Sequence, residues 1–168
     1  MTDLPAFQPD CANCVALCCM ALAFDEGEDF GFDKPAGLPC PNLNGHMCGI
    51  FGALKSEGFA GCARYDCLGA GQRVSQELFA NQSWRDEPEL AEPMIDAFAR
   101  MREVQKMLEL LDASAKLDLP DSYEARRQSM VAALAPDGGF TPESFASTAV
   151  DAALDGALPF LRELRDLV

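Results

Sequence analysis

Four cysteines lie close together near the start of the chain, in the segment Cys11-Ala-Asn-Cys-Val-Ala-Leu-Cys-Cys19. Asp10 precedes this segment and is a favourable N-cap, so the sequence predicts a short helix here. On such a helix Cys11, Cys14 and Cys18 would share one face, and Cys19 would point elsewhere. We therefore expect three thiols to serve one site, and Cys19 to serve a second site or to bridge two sites.

The chain has eight cysteines, and none of them follows Cys67. The first residues, Met1-Thr-Asp-Leu-Pro5, lack the basic and apolar regions of a secretory signal, so we expect a cytoplasmic protein. In a reducing compartment, cysteines at this density are metal ligands or redox groups more often than disulfides. The sequence therefore predicts a metal-ligand set of Cys11, Cys14, Cys18, Cys19, Cys40, Cys48, Cys62 and Cys67.

The number of thiols fits one or two metal ions. Zinc takes about four thiolate or imidazole ligands in a tetrahedron, so eight thiols fill two sites, or one site with thiols to spare. The cysteine spacing of bacterial ferredoxins is absent, so zinc is the predicted metal, and iron or an iron–sulfur cluster is the alternative. His46, in Asn44-Gly-His-Met-Cys48, is either an additional ligand or a solvated loop side chain.

The composition of the chain changes near residue 84. Residues 1–83 contain all the cysteines and most of the glycines, and residues 84–168 are rich in helix-forming residues. We therefore predict two domains, a cysteine-rich metal-binding module (1–83) and a helical region (84–168). The predicted fold class is mainly α: an irregular Cys-rich metal-binding N-terminal module packed on a C-terminal helical bundle.

Helical spacing and capping residues define the elements of the second half. Asp86 and Pro88 predict the start of a long helix that ends near residue 113, and Pro120 predicts a helix that ends near Leu134. Thr141-Pro-Glu-Ser144 predicts a third helix, to about Leu154. Residues 156–159 predict a break before a last helix that ends near Leu167.

The first half carries weaker signals. Residues 24–45 contain many turn formers and are expected to be irregular. Short helices are predicted over residues 48–57, closed by Gly58, and over residues 72–80. Gly69-Ala-Gly71 lacks the rest of a phosphate-binding motif, so we interpret it as a helix entry that permits close backbone packing.

Charge and composition exclude several functions. The formal net charge is −14, and neither half carries a basic stripe, so we expect neither nucleic acid nor an anionic membrane surface as a partner. No apolar run reaches the length of a membrane span. A single histidine removes most acid–base and triad schemes. The sequence shows no catalytic constellation and favours a protein that is not an enzyme.

The cysteine pattern resembles the YkgJ-type zinc- or iron-chelating cysteine-cluster family. The resemblance is carried by the first cysteine segment and by three further runs, although Gly58-Phe59 stand where that family has Arg-Pro. The further runs are Pro39-Cys-Pro-Asn-Leu43, Cys48-Gly-Ile-Phe51 and Gly61-Cys-Ala-Arg-Tyr-Asp-Cys67.

A second, closer resemblance is to the cysteine-rich N-terminal region of bacterial pentapeptide-repeat proteins. It extends through Gly61–Gln76 and Ser83–Leu90 into the following helix, and together the similar regions cover residues 11 to about 115. The repeats themselves are absent from this chain. Both resemblances imply metal chelation and leave the biochemical role open.

We expect a metal-binding protein with a largely structural zinc site, whose helical half offers a surface to a protein partner. The alternatives are a chelator or metal-delivery protein, and an iron–sulfur or redox component. The metal ion itself is the first expected partner.

Overall fold

The computed structural model describes residues 4–165 and residue 167. The protein is mainly helical, with little sheet. It divides into two compact units, Gln8–Met101, and Arg102–Val168 together with Met1–Phe7. The sequence prediction drew the domain boundary between residues 83 and 84, where the composition changes. The compact units divide instead inside the long helix α4 (Ala91–Ser114), between Met101 and Arg102.

The unit Gln8–Met101 is built from short elements before α4. Its helices are α1 (Leu17–Ala21), α2 (Ala60–Arg64) and α3 (Ala70–Arg73), which continues as one π-helical turn, Val74–Leu78. A two-stranded antiparallel hairpin pairs β1 (Leu43–Asn44) with β2 (Met47–Cys48). Three 3-10 turns, Cys11–Asn13, Phe51–Ala53 and Pro88–Leu90, complete the unit.

The prediction of a single helix over the first cysteine segment is wrong. The segment forms the 3-10 turn Cys11–Asn13, an extended residue at Cys14 and then α1. Ala16 separates the two parts with a φ of 61°, in the left-handed region that a helix cannot contain. The shared helical face of Cys11, Cys14 and Cys18 therefore does not exist.

Stacked aromatic rings hold the irregular segment near residues 24–34. Phe24 stacks on Phe30 at a centroid distance of 4.3 Å, and Phe32 meets Phe59 edge-on at 4.9 Å. The Phe30 ring lies against Gly61, where an added Cβ would come within 2.3 Å of a ring carbon. An apolar cluster thus takes the place of regular hydrogen-bonded structure.

The two helices predicted after Asp86 and after Pro120 are confirmed, and the short helix predicted over residues 48–57 is wrong. Helix α4 buries residues of the predicted helical spacing, and α5 (Asp121–Leu134) begins after Pro120 as expected. Residues 48–57 contain only the 3-10 turn Phe51–Ala53, although Gly58 closes the segment with a φ of 84°. The buried apolar side chains of α4 are Met94, Phe98, Met101, Val104, Met107, Leu108 and Leu111.

The predicted break at residues 156–159 is wrong. Thr141 does cap a helix, but that helix, α6 (Pro142–Phe145), is short, and α7 (Thr148–Leu164) then runs without interruption through Pro159. Pro159 lies on the exposed side of α7, where water can satisfy the carbonyl that its missing N–H leaves unpaired. The helix continues because its buried residues keep helical spacing across the proline. These residues form a buried stripe along α7: Val150, Ala153, Ala157, Phe160 and Leu164.

Helices α5 and α7 pack against each other in the unit that contains residues 102–165. Tyr123 of α5 lies 6.2 Å from Phe160 of α7 between ring centroids, and Arg126 donates to Glu163 at 2.7 Å. Phe160 is fully buried. Its ring is therefore a central part of this helix pair.

In residues 4–165, none of the helices combines the length and the apolar character that crossing a membrane requires.

We expect Phe160→Ala to lower the free energy of unfolding by about 3–5 kcal/mol, because it leaves a cavity between α5 and α7. Leu158→Ala is the matched control, since Leu158 lies two residues away on α7 and is 46% exposed; its effect should stay within about 0.5 kcal/mol. Urea denaturation measures both. Equal effects of the two substitutions would contradict the assignment of the buried stripe.

Candidate metal centre

All eight cysteines line one cavity. The cavity has a volume of about 920 Å³ and lies within the unit Gln8–Met101. Its remaining wall is mostly apolar and includes Phe24, Phe30 and Phe59 of the aromatic cluster. All eight thiols are free, so none is used in a disulfide. Residues that are far apart in the sequence are thus brought to a common space.

Short elements place the cysteines at the cavity. Cys18 and Cys19 lie on α1, with their sulfur atoms 3.9 Å apart. The backbone N–H of Cys40 donates to the carbonyl of Cys19 at 3.0 Å, which fixes Cys40 beside the same helix. Cys48 lies on β2, opposite Leu43.

The last two cysteines lie in α2 and in the turn between α2 and α3. Cys62 belongs to α2, and Cys67 lies just before α3. Two residues with positive φ, Leu68 at 51° and Gly69 at 82°, turn the chain into α3, and the Ala70 N–H donates to the Cys67 carbonyl at 2.9 Å. This turn lets Cys67 face the cavity while α3 leads away from it. Cys19, expected to point elsewhere, lines the same cavity as the others.

Cys14 packs directly on the backbone of α3. An added Cβ at Gly71 would lie 2.6 Å from the Cys14 sulfur, closer than any real contact. Gly71 is therefore required by the sulfur atom, in agreement with the close backbone packing interpreted from Gly69-Ala-Gly71. The neighbouring Val15 is held by two side chains, because its N–H donates to the Ser75 hydroxyl at 3.1 Å and its carbonyl accepts from Trp84 Nε1 at 2.6 Å.

Burial keeps several of the thiols protonated. It raises the pKa of Cys14 to about 11, although hydrogen bonds from the backbone of Leu17 and Ala16 act in the opposite direction. The contact with Cys19, followed by burial, raises the pKa of Cys18. A cation bound among these sulfur atoms would have to displace their protons, so binding would release protons to the solvent.

Cys11 and Cys62, which also line the cavity, show the same effect. Burial raises the pKa of both thiols, and the negative charge of Cys18 and Cys48 raises each of them further. Cys18 also acts on the pKa of Cys14. The sulfur atoms are therefore near enough to repel one another when they are ionised.

His46 lines the cavity but has another partner. Its Nε2 lies 2.7 Å from the Ser83 hydroxyl oxygen, and its ring meets Trp84 edge-on at a centroid distance of 6.3 Å. One ring nitrogen is thus engaged in a structural hydrogen bond. The choice between ligand and loop side chain stays open for the other nitrogen.

Lys34 is a residue near the site that the sequence reasoning missed. It is only 3% exposed, and burial lowers its pKa, while the negative charge of Cys40, Cys19, Cys18 and Cys62 raises it. A lysine in an irregular, polar stretch gives no signal of burial in the sequence. The Phe24–Lys34 backbone bridge, with N–H···O distances of 2.7 and 3.0 Å, holds this residue against the neighbouring segment.

The thiols surround a common space without closing on a single point. Within residues 4–165 and 167, no group of three or more His, Cys, Asp or Glu side chains is spaced to hold a metal ion. The chemistry of the wall nevertheless fits a soft divalent cation, since it offers up to eight thiolate ligands and backbone N–H groups directed at one of the sulfur atoms. Side-chain rotation would have to complete any coordination shell.

The chain is similar to the uncharacterised protein YybG of Bacillus subtilis (strain 168). The two are 42% identical over 111 residues, which make up 66% of this chain and 40% of YybG. The matched region thus spans less than half the length of this relative. No family model matches the chain, and no solved structure matches it.

We expect Gly71→Ala to destabilise the protein, because the new methyl group and the Cys14 sulfur cannot both occupy the space at α3. The cost should be about 1–3 kcal/mol in urea denaturation. Gly156→Ala is the control: this glycine also lies within a helix, but nothing lies within 4 Å of the added Cβ, so the change should be neutral or stabilising by up to about 1 kcal/mol. A neutral Gly71→Ala would contradict the contact with Cys14.

We also expect the metal-free protein to lose stability as the pH rises from 9.0 to about 11. The folded state holds the Cys14 proton more tightly than the unfolded chain does, so this contribution is present below pH 9.0 and is lost as the pH approaches the folded-state pKa. Urea midpoints across this range measure the slope. Cys14→Ser should flatten it, and a wild-type midpoint that rises with pH would show that the sign is wrong.

Proposed function

We propose that the protein binds a metal, zinc, through the cysteines of the cavity, and that the metal is largely structural. The observation that carries this proposal is the convergence of all eight thiols on one cavity inside a single compact unit. Free cysteines that merely fill a core would be distributed among several apolar contacts rather than gathered on one wall. The resemblance of the cysteine pattern to the YkgJ-type family and to the N-terminal regions of pentapeptide-repeat proteins also supports this proposal, since both imply metal chelation.

The backbone of the unit supports a structural role. Its helices before α4 have five residues or fewer, and its hairpin has two residues per strand. Little regular hydrogen bonding is therefore available to hold it. A structural zinc site contributes on the order of 10 kcal/mol in small modules of this kind. Metal ligation would join α1, α2, β2 and the turn before α3 into one stable body.

The helical half then serves as a surface for a protein partner. Three large apolar side chains of the unit that contains Arg102–Val168 are exposed among the described residues: Leu110 on α4, Leu158 on α7 and Leu167 after α7. We propose a cytoplasmic location for the protein, since reduced thiols are required for ligation.

A metal-delivery protein is the second candidate. Cys11 is exposed, unlike the other seven cysteines, and could present the ion to an acceptor by ligand exchange. Competition with a chromophoric chelator separates the two roles, because a delivery site exchanges its metal readily and a structural site does so slowly.

Metal analysis of the protein as purified is the decisive experiment. We expect one or two zinc ions per chain, lost in the double variant Cys14→Ser/Cys62→Ser and kept in the control Ser122→Ala on α5. Removal of the zinc should lower the urea midpoint and the helical circular dichroism signal.

Two results would contradict the proposal. One is a wild-type protein that contains no metal and takes up neither zinc nor iron under anaerobic conditions. The other is full retention of stability after chelation, which would leave binding intact but remove its structural role. A coloured protein that contains iron would favour the iron–sulfur alternative.

A further inference from the structure

Lys34 holds a buried positive charge beside the thiol cavity. Its Nζ donates to the carbonyl oxygens of Met20 at 3.3 Å, Leu22 at 2.5 Å and Pro35 at 3.1 Å. Three acceptors require three N–H donors, which only the protonated ammonium provides. The side chain is 3% exposed, so this charge is removed from water.

A buried charge is costly unless an opposite charge lies near it. Among the residues that the structure describes, no Asp or Glu carboxylate pairs with Lys34; the ion pairs involve other residues. Carbonyl dipoles solvate the ammonium but carry no net charge. The carboxylates of residues 4–165 therefore do not account for its burial.

The cysteines are the groups near Lys34 that can become negative. Two of its hydrogen-bond acceptors lie near Cys18 and Cys19: Met20 directly follows Cys19 on α1, and Leu22 is the residue after that helix. Cys40 is hydrogen-bonded to the backbone of Cys19. Burial lowers the pKa of Lys34, and the negative charge of these three thiols and of Cys62 opposes that shift. Burial likewise raises the pKa of Cys62, and the charge of Lys34 opposes it. Lys34 itself lies behind the cavity wall formed by Cys19, Leu22 and Phe24.

We propose that Lys34 is the counter-charge of the thiolate–metal centre, a positioning residue that raises the affinity of the cavity for a divalent cation. The inference rests on the proposed function. A divalent ion with four thiolates has two more negative charges than positive ones, and a buried ammonium compensates one of them in a medium that screens charge less than water does. The lysine thus acts from outside the coordination shell, on the sulfur atoms nearest α1.

A purely structural role for Lys34 makes a different prediction. The side chain also caps the last carbonyls of α1, a contact that stabilises the fold whether or not metal is bound. The counter-charge matters only when the thiols are ionised. The two roles therefore separate in the metal-free protein.

The test uses two neutral variants and two controls. Lys34→Gln keeps N–H donors for the carbonyls and removes the charge, and Lys34→Met removes both. Lys34→Arg keeps the charge. Lys55→Met removes the charge of an exposed lysine that also lines the cavity, where water screens it. Zinc affinity is measured by competition with a chromophoric chelator, and the stability of the loaded and metal-free forms by urea denaturation.

We expect Lys34→Gln and Lys34→Met to weaken zinc binding about 10–100-fold, and Lys55→Met to leave it within about twofold. Lys34→Arg should restore part of the affinity. The metal-free form of Lys34→Gln should be at least as stable as the metal-free wild type, because an uncompensated buried charge has been removed.

Two outcomes overturn the inference and leave the proposed function standing. One is wild-type zinc affinity in Lys34→Gln. The other is an equal loss of stability in its loaded and metal-free forms, which assigns Lys34 to helix capping alone. A wild-type chain that takes up no metal overturns the proposed function and this inference with it.

Discussion

The attachment of residues 10–15 to α3 and its π-helical continuation is the contact on which the rest of the cysteine unit depends. These residues have almost no regular backbone partner. Instead, the Cys14 sulfur lies on Gly71, the Val15 N–H donates to Ser75, and the Asp10 N–H donates to Gln72. A buried backbone group that lost such a partner would cost about 1–3 kcal/mol. Side chains far along the sequence thus fix the start of the segment that carries half of the cysteines.

Two electrostatic preferences oppose each other at the cavity, one for neutral sulfur and one for negative sulfur, and a bound cation would reconcile them. Burial and mutual repulsion raise the pKa of the thiols at Cys11, Cys14 and Cys62, which favours neutral sulfur. Lys34 is buried beside Cys62 and favours negative sulfur there. Neutral thiols satisfy the first preference and leave the buried ammonium without a counter-charge. A divalent cation would serve both groups, because it would offset the cost of ionising the buried thiols and leave a net negative centre for the ammonium.

The parts of the structure that could be predicted are those governed by local spacing. Helix α4 follows from apolar residues at helical intervals, α5 follows from the start signal at Pro120, and the close packing at Gly71 follows from the run Gly69-Ala-Gly71. The extent of α7 was predicted wrongly because a proline ends a helix only where the hydrogen bond that it removes cannot be replaced. At the exposed Pro159, water can replace it. The reversal at Ala16 and the burial of Lys34 could not be foreseen, since each depends on contacts with residues distant in sequence. The sequence predicted that the eight thiols serve one or two metal sites and that Cys19 points away from Cys11, Cys14 and Cys18. That all eight line one cavity depends on the fold of the whole unit and was not predicted.

Pro159 also has an effect outside the folded state. Within α7 it gives up one backbone hydrogen bond on the exposed face. In the unfolded chain its ring restricts φ at this position and limits the preceding residue, Leu158, to extended conformations. The unfolded ensemble therefore has fewer conformations to lose when α7 forms. The proline thus opposes α7 through the hydrogen bond that it removes and favours α7 through the entropy of the unfolded chain.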